Sequence, residues 1–307
     1  MLRAVNVIGR ILIGLGLLLV LFTAYQLWGT GLVEAHSQSV LRSELDHQLP
    51  PGAPAAARHL STHHVAVHSG PPATAPPRAA PQPGQPVGVI QIPSIGLDQV
   101  IVEGVGTDDL RLGPGHYPGT PLPGQAGNVA IAGHRTTYAH PFYSLDAVTP
   151  GGQIVITTPQ GIFVYATSAT QVVAPTDVAV LDPTPGAGLT LTTCNPRYSA
   201  ATRLVLHATL LRSLLFSAAA VHSRAPAPTE QPGHQAIPAN ALGEGGDGDW
   251  LPAVGWGLAT AAAAFGIWLL ARSVRHPWAV GVPGLFVLLV LLFLFFGSVS
   301  PLLPASF

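Results

Sequence analysis

Apolar positions along this chain follow two kinds of pattern. Three long runs contain no charged residue: Ile11 to Trp28 (ILIGLGLLLVLFTAYQLW), Trp250 to Ala271 and Trp278 to Gly297. As helices, each is about long enough to cross the roughly 30 Å hydrocarbon core of a bilayer. Between the first run and the second the pattern shortens. VGVIQIP, QVIVEG, GNVAIAGH, GQIVITTP, GIFVYATSATQVV, GLTLTTC and TRLVLHATL are alternating or β-rich stretches separated by Pro-Gly and Gly-Gly turn signals. Several short strands at this spacing, with no long helical period, predict an all-β barrel or sandwich over residues 87–212.

The flanks of that domain read as linkers. PPGAPAAARHL and SGPPATAPPRAAPQPGQP, within 29–86, are rich in Pro and Ala and lack apolar periodicity. Such segments are extended and semi-rigid, at about 3 Å per residue. The stretch 213–249 ends in the acidic, Gly-rich GEGGDGD. His59 and His63, like His64 and His68, have the spacing that puts two imidazoles on one helix face. Flanking prolines and the absence of carboxylates favour a solvated linker there over a metal site. The predicted organisation is an N-terminal transmembrane anchor 1–28, linker 29–86, β domain 87–212, linker 213–249, and transmembrane helices 250–271 and 278–297.

Charge orients these spans. Arg3 and Arg10 precede the first run, and Arg272 and Arg275 lie between the second and third. The positive-inside rule places all four in the cytoplasm, so three crossings put residues 30–249 and the C-terminus outside. Trp28, Trp250 and Trp278 sit near span ends, where amphipathic rings prefer to lie. Cleavage after Val33-Glu34-Ala35 is a rival, which the length of the first run disfavours. A re-entrant hairpin broken at Pro277 or Pro283 is a rival for 250–297. A formal net charge of −1 gives no reason to expect a nucleic-acid partner. The single cysteine cannot form an internal disulfide.

That cysteine, Cys194, closes LTLTTC. Strand alternation puts Leu189, Leu191 and Thr193 on one face and Thr190, Thr192 and Cys194 on the other. In TRLVLHATL, Leu204, Leu206, Ala208 and Leu210 form the apolar face, and Arg203, Val205, His207 and Thr209 the opposite one. NPRYSAAT joins the two strands. If they form an antiparallel hairpin, Cys194 and Arg203 close the loop and point to one face. In GNVAIAGH, Val129, Ile131 and Gly133 read as core, and His134 ends the strand on the outer face. Three strand ends therefore carry a thiol, an imidazole and a guanidinium. A thiolate can attack an amide carbonyl, and an imidazole can carry the proton to the leaving amine. An always-charged guanidinium can stabilise the oxyanion. Each residue alone has a bland reading: a buried thiol, a structural histidine, a solvated arginine.

AGHRTTYAHPFYSLDAVTPGG, TLTTC and Arg203 together resemble the sortases, the bacterial cysteine transpeptidases. TLTTC fits that family's TLxTC signature. GPGHYPGTPLPG, AGHRTTY and CNPRYSAATRLVLHA are similar to the actinobacterial class E branch. The resemblance spans about 87–212 and implies a closed β-barrel of about eight strands. His134, Cys194 and Arg203 take the catalytic positions. It further implies that a secreted protein bearing a C-terminal LPXTG-like signal, LAXTG for class E, is cleaved between Thr and Gly through a Cys thioester. A cell-wall precursor amine then takes the acyl group, or a pilin lysine in pilus assembly. No cofactor or metal is implied, since no compact acidic cluster suggests the calcium that some sortases bind.

The segment before the cysteine strand, VVAPTDVAVLDPTPGAG, corresponds to the connection that shapes the signal pocket in sortases. Thr176 and Asp177 are candidate caps for a short helix through Val178–Leu181. Val180 and Leu181 would then meet the apolar Leu of a signal, or simply pack the loop onto the barrel. Thr192 shares the face of Cys194 and is a groove candidate, while Thr193 should point inward and hold the strand end. Tyr117, Tyr138 and Tyr143 are further groove candidates. Two other readings of the chain are a cysteine protease that passes its acyl group to water and an idle peptide-binding membrane scaffold.

Overall fold

The computed structural model describes residues 2–62, 72–216, 250–274 and 278–302. These divide into two compact units, one of residues 2–30, 250–274 and 278–302 and the other of residues 31–62 and 72–216. The second unit is built on a closed barrel of eight strands: β1 Pro86–Ile92, β2 Leu97–Glu103, β3 Gly115–His116, β4 Gly127–Ala132, β5 Gln153–Thr158, β6 Gly161–Val173, β7 Ala187–Asn195 and β8 Thr202–Leu215. Around the barrel the order is β1-β2-β3-β4-β7-β8-β6-β5, with β5 closing on β1.

Alternation puts one set of side chains inside. Ile90, Ile101, Val129, Ile131, Leu189, Leu191, Leu204 and Leu206 meet Phe163 and Tyr165 in the barrel core. Such a barrel is a packed core, filled by side chains. Most neighbours pair antiparallel, but two pairs are parallel: β2 with β3, and β4 with β7. The register of β4 on β7 runs from Gly127↔Ala187 to Ala132↔Thr192. Strands β7 and β8 form a hairpin in which Cys194 pairs with Arg203 and Asn195 with Thr202. The expected hairpin is present, but its last pair lies one residue further out, which shortens the loop to 196–201. Strand β8 also outruns the expected boundary at 212, pairing Ser213, Leu214 and Leu215 with Phe163, Ile162 and Gly161.

The stretch 29–86 departs from the extended linker expected. Helix α2, Thr30–Asp46, and helix α3, Ala53–Thr62, are followed by a proline-rich strip on the barrel. Leu41 and Leu45, four apart on α2, pack on Val89, Val100 and Val102 of the outer barrel wall. The Gln38 amide donates to the carbonyls of Val100 (3.0 Å) and Leu112 (2.8 Å), and its Oε1 accepts from the Val100 amide at 2.6 Å. In the strip, proline removes donors but leaves acceptors. The Pro76 carbonyl accepts from Gln160 at 2.8 Å, the Ala73 carbonyl accepts from Ser213 at 2.5 Å, and Ala75 is buried. His63, His64 and His68 lie outside the described residues, as do 217–249.

The first unit holds helix α1, Leu2–Ala24, one π turn at Tyr25–Gly29, and helices α5, Leu251–Ser273, and α6, Trp278–Val299. A one-turn helix, α4, Thr107–Leu110, belongs to the barrel unit. Three helical segments, Ile8–Asp46, Leu251–Ser273 and Val280–Val299, are long and apolar enough to cross a membrane. Helix α6 continues through Pro283, so that proline does not break the third run. Phe22 lies edge-on to Phe296 at 5.2 Å, and Tyr25 to Phe293 at 5.1 Å.

If α2 is a packed part of the barrel unit, Leu45→Ala, a truncation of a fully buried leucine, will cost about 2–4 kcal/mol. Thermal denaturation of the full chain reads this as a lower Tm. A change within about 0.5 kcal/mol would mean that the helix is not packed there.

Candidate active site

The parallel run of β4 beside β7 sets the site. Past the last register pair, the Gly133 amide donates to the Thr192 carbonyl at 3.1 Å, and Thr193 Oγ1 donates to the Gly133 carbonyl at 2.7 Å. The chain leaves β4 at His134 while still held to the end of β7, one residue from Cys194. Gly133 has a local reason to be glycine: a Cβ there would lie 2.6 Å from the Phe142 ring. Phe142 is fully buried, and its amide donates to the His134 carbonyl at 3.1 Å, folding the following loop back under the histidine.

Cys194 and Arg203 face each other across the β7–β8 hairpin on the outer face of the barrel. Arg203 is buried, and its Nη1 donates to the carbonyls of Ala200 (3.0 Å) and Thr202 (3.1 Å). Thr192, on the same face, shares a 3.0 Å hydrogen bond with the Tyr117 hydroxyl. Tyr117 is carried by the turn after β3, which His116 anchors. The imidazole of His116 is 2.7 Å from Glu103 Oε2 through Nδ1 and 3.0 Å from the Pro121 carbonyl through Nε2.

Burial pushes the Cys194 thiol up, and the Arg203 and then the Arg135 guanidinium pull it part of the way back. Enclosure of the ring pushes the His134 imidazole down to about 4, helped by the charge of Arg111, although the residue keeps some exposed surface. Both groups are therefore neutral near pH 7, and the thiolate–imidazolium pair is the minor form. Among the described residues no carboxylate pairs with His134, and its buried Nε2 has no hydrogen-bond partner. Tyr138 stacks obliquely on the imidazole at 5.0 Å between ring centres. Arg111 lies 6.0 Å from the Tyr138 ring.

The connection that precedes β7 is partly folded. Val178–Leu181 is one turn of 3₁₀-helix with Asp177 at its start, and no side chain caps it. What holds it instead is Asn128 of β4, whose Nδ2 donates to the carbonyls of Val180 and Asp182, both at 3.1 Å, while Oδ1 accepts from Thr190 at 2.8 Å. Leu181 is buried against Tyr117, Ala130 and Ala132, and Val180 packs partly on the same cluster. Leu181 thus fastens the loop to the barrel, and Val180 is the more open of the two. Tyr143 lies under Arg197, with the guanidinium carbon 4.3 Å from the ring centre.

Residues 90–211 match the family model of the sortase domain. This barrel is a sortase domain. The chain is 33% identical to Sortase SrtE1 of Streptomyces coelicolor over 219 residues, 66% of this chain and 56% of that protein. It is also 33% identical to Sortase D of Bacillus subtilis over 114 residues, 37% of this chain and 56% of that one. The chain thus spans little more than half the length of these two relatives. Among solved structures, sortase E of Streptomyces avermitilis is similar at 37% identity, covering 44% of this chain and 93% of that one with a TM-score of 0.41. A Clostridium perfringens Sortase D5 transpeptidase covers 58% and 98%, at 26% identity and a TM-score of 0.43.

In this sortase domain the structure gathers Cys194, Arg203 and Thr192 on one outer face and holds His134 at the adjoining strand end. Thr193 is turned to the Gly133 carbonyl and Leu181 into the barrel wall. Arg135, Arg111, Asn128 and Asp146 do not stand out as site residues in the sequence. Arg135 had one signal, its place directly after His134. The others gain their roles from loops whose paths no local pattern predicts.

The depressed histidine has a pH signature. Between its ordinary value of 6.5 and about 4, the unfolded chain binds a proton at His134 that the folded chain refuses. Its contribution to folding stability is thus complete above pH about 6.5 and is lost as the pH falls towards 4. Chemical denaturation across that window will show a shallower pH slope for His134→Gln than for the parent. Identical slopes would mean that the imidazole is solvated.

Proposed function

We propose that the protein is a membrane-anchored sortase-type transpeptidase. The observation that carries this is the pairing of Cys194 with Arg203 beside the strand end that delivers His134. Cys194 Sγ, as thiolate, attacks the Thr carbonyl carbon of an LPXTG-like signal, with LAXTG favoured by the class E likeness. Arg203 stabilises the oxyanion or holds the signal's backbone. The carbon–nitrogen bond to Gly breaks, and His134 gives its proton to the departing amine, leaving a thioester on Cys194. An amine of a cell-wall precursor then attacks the thioester, passes its proton to His134 and releases the thiolate. The substrates are secreted proteins with C-terminal signals. Tyr117 and Thr192 line the groove, and Val180 contributes to the signal pocket.

Three crossings with Arg3, Arg10, Arg272 and Arg275 cytoplasmic place the barrel outside the cell membrane. Reporter fusions at positions 150 and 274 test this. An external signal at 150 and an internal one at 274 are expected, and the reverse pattern would overturn the orientation.

The full chain in detergent, given a fluorogenic LAXTG peptide and an amine, will form a ligated product. Hydrolysis alone would indicate a protease, and no turnover an inert binding domain. Cys194→Ala will abolish both ligation and hydrolysis. Arg203→Lys keeps the charge but loses the planar fork, and will lower kcat/KM by about 10-fold or more. Parental turnover in either variant would remove that residue from the mechanism.

A further inference from the structure

We propose that Arg135, the residue after His134, is a positioning residue that fixes the histidine against the nucleophile by gripping the carbonyl of Cys194 itself. Arg135 is buried, 4% exposed. Its Nη1 donates to the Cys194 carbonyl at 3.2 Å and to Asn195 Oδ1 at 2.7 Å. Its Nη2 is 3.2 Å from Asp146 Oδ2. Asp146 also receives Arg197 Nη2, at 3.0 Å on Oδ1 and 3.2 Å on Oδ2. Arg197 Nε donates to the Tyr143 carbonyl at 3.2 Å. One carboxylate thus ties the loop that carries His134 to the hairpin that carries Cys194.

The clamp answers a need visible at the site. Active-site imidazoles are commonly oriented by a carboxylate, and none pairs with His134 among the described residues. A single side chain, that of the neighbouring residue, reaches from the histidine's own segment to the nucleophile's own peptide group. An error of about 1 Å in such an alignment can cost roughly 100-fold in rate. The position of the guanidinium also matters electrostatically. A cation held beside the Cys194 peptide favours the thiolate, as Arg203 does from the other strand. A lysine could supply the charge but could not serve three oxygens in one plane.

The transpeptidase reading above underlies the kinetic part of this proposal, whereas thiol reactivity can be measured without any sorting signal. In the full chain in detergent, iodoacetamide alkylation of Cys194 is followed against pH, together with kcat and KM for the LAXTG peptide. Arg135→Gln will move the alkylation midpoint to higher pH, slowing the reaction at pH about 7 by about threefold or more. It will lower kcat by about 10-fold or more while KM stays within about twofold. Arg135→Lys will leave the alkylation midpoint near the parental one and still lower kcat, separating charge from geometry. Parental alkylation and parental kcat in Arg135→Gln would overturn the proposal. If that variant does not fold, Asp146→Asn, which loosens the guanidinium without removing it, decides the matter. A fall in kcat of about threefold or more supports the clamp, and unchanged kcat overturns it. If the parent itself fails to ligate, the transpeptidase reading falls, and the alkylation profiles alone judge Arg135.

Discussion

The parallel pairing of β4 with β7 is the constraint on which the rest of the site depends. Parallel neighbours end at the same edge of a sheet, so the residues that leave them emerge together. Here the six pairs from Gly127↔Ala187 to Ala132↔Thr192, extended by the bonds of Gly133 to Thr192 and Thr193, bring the chain out at His134 and at Cys194 on one edge. A slip of one residue would turn Cys194 into the barrel and Thr193 out. Parallel neighbours also need a long crossover. Residues 133–186 provide it, and on the way they lay down β5 and β6, which close the barrel on its far side. The fold and the meeting of the His134 and Cys194 strand ends at one edge are thus products of one topological choice.

The same enclosure that aligns the groups works against their ionisation. Burial raises the thiol and lowers the imidazole, so the uncharged pair is the resting form. Two guanidiniums, Arg203 and Arg135, offset part of that cost on the sulfur side, whereas Arg111 adds to it on the imidazole side. The surrounding polar groups are held by bonds to backbone: Asn128 to the Val180 and Asp182 carbonyls, Thr193 to Gly133, Arg203 to Ala200 and Thr202. In a low-dielectric site such satisfied networks rigidify the groups they contain. The Tyr117 hydroxyl, raised to about 12 by burial, remains protonated in its bond with Thr192.

Much of the architecture was legible because barrel strands obey a period of two. Val129, Ile131, Leu189, Leu191, Leu204 and Leu206 lie inside as alternation requires, and their neighbours lie outside. The hairpin that pairs Cys194 with Arg203 followed from the same rule. The segment 29–86 was less legible. Gln38, Leu41 and Leu45 do recur at helical spacing, but two leucines make too faint an apolar stripe to outweigh the surrounding Pro and Ala. Only the presence of Val89, Val100 and Val102 on the outer wall turns that stripe into a packed face.

Local pattern, which requires only neighbours in the chain, thus set the strands, their two faces, the three apolar helices and the chemical types at the strand ends. Contacts between segments far apart in sequence were settled by folding. Arg135 reaches Cys194 across 59 positions, Asn128 holds Val180 across 52, and Gln38 holds Val100 across 62. No periodicity encodes such meetings, because they arise only when barrel closure brings loops of independent path to one rim. The thiol, imidazole and guanidinium are therefore readable as residues in the chain, whereas the clamp that aligns them exists only once the barrel is closed.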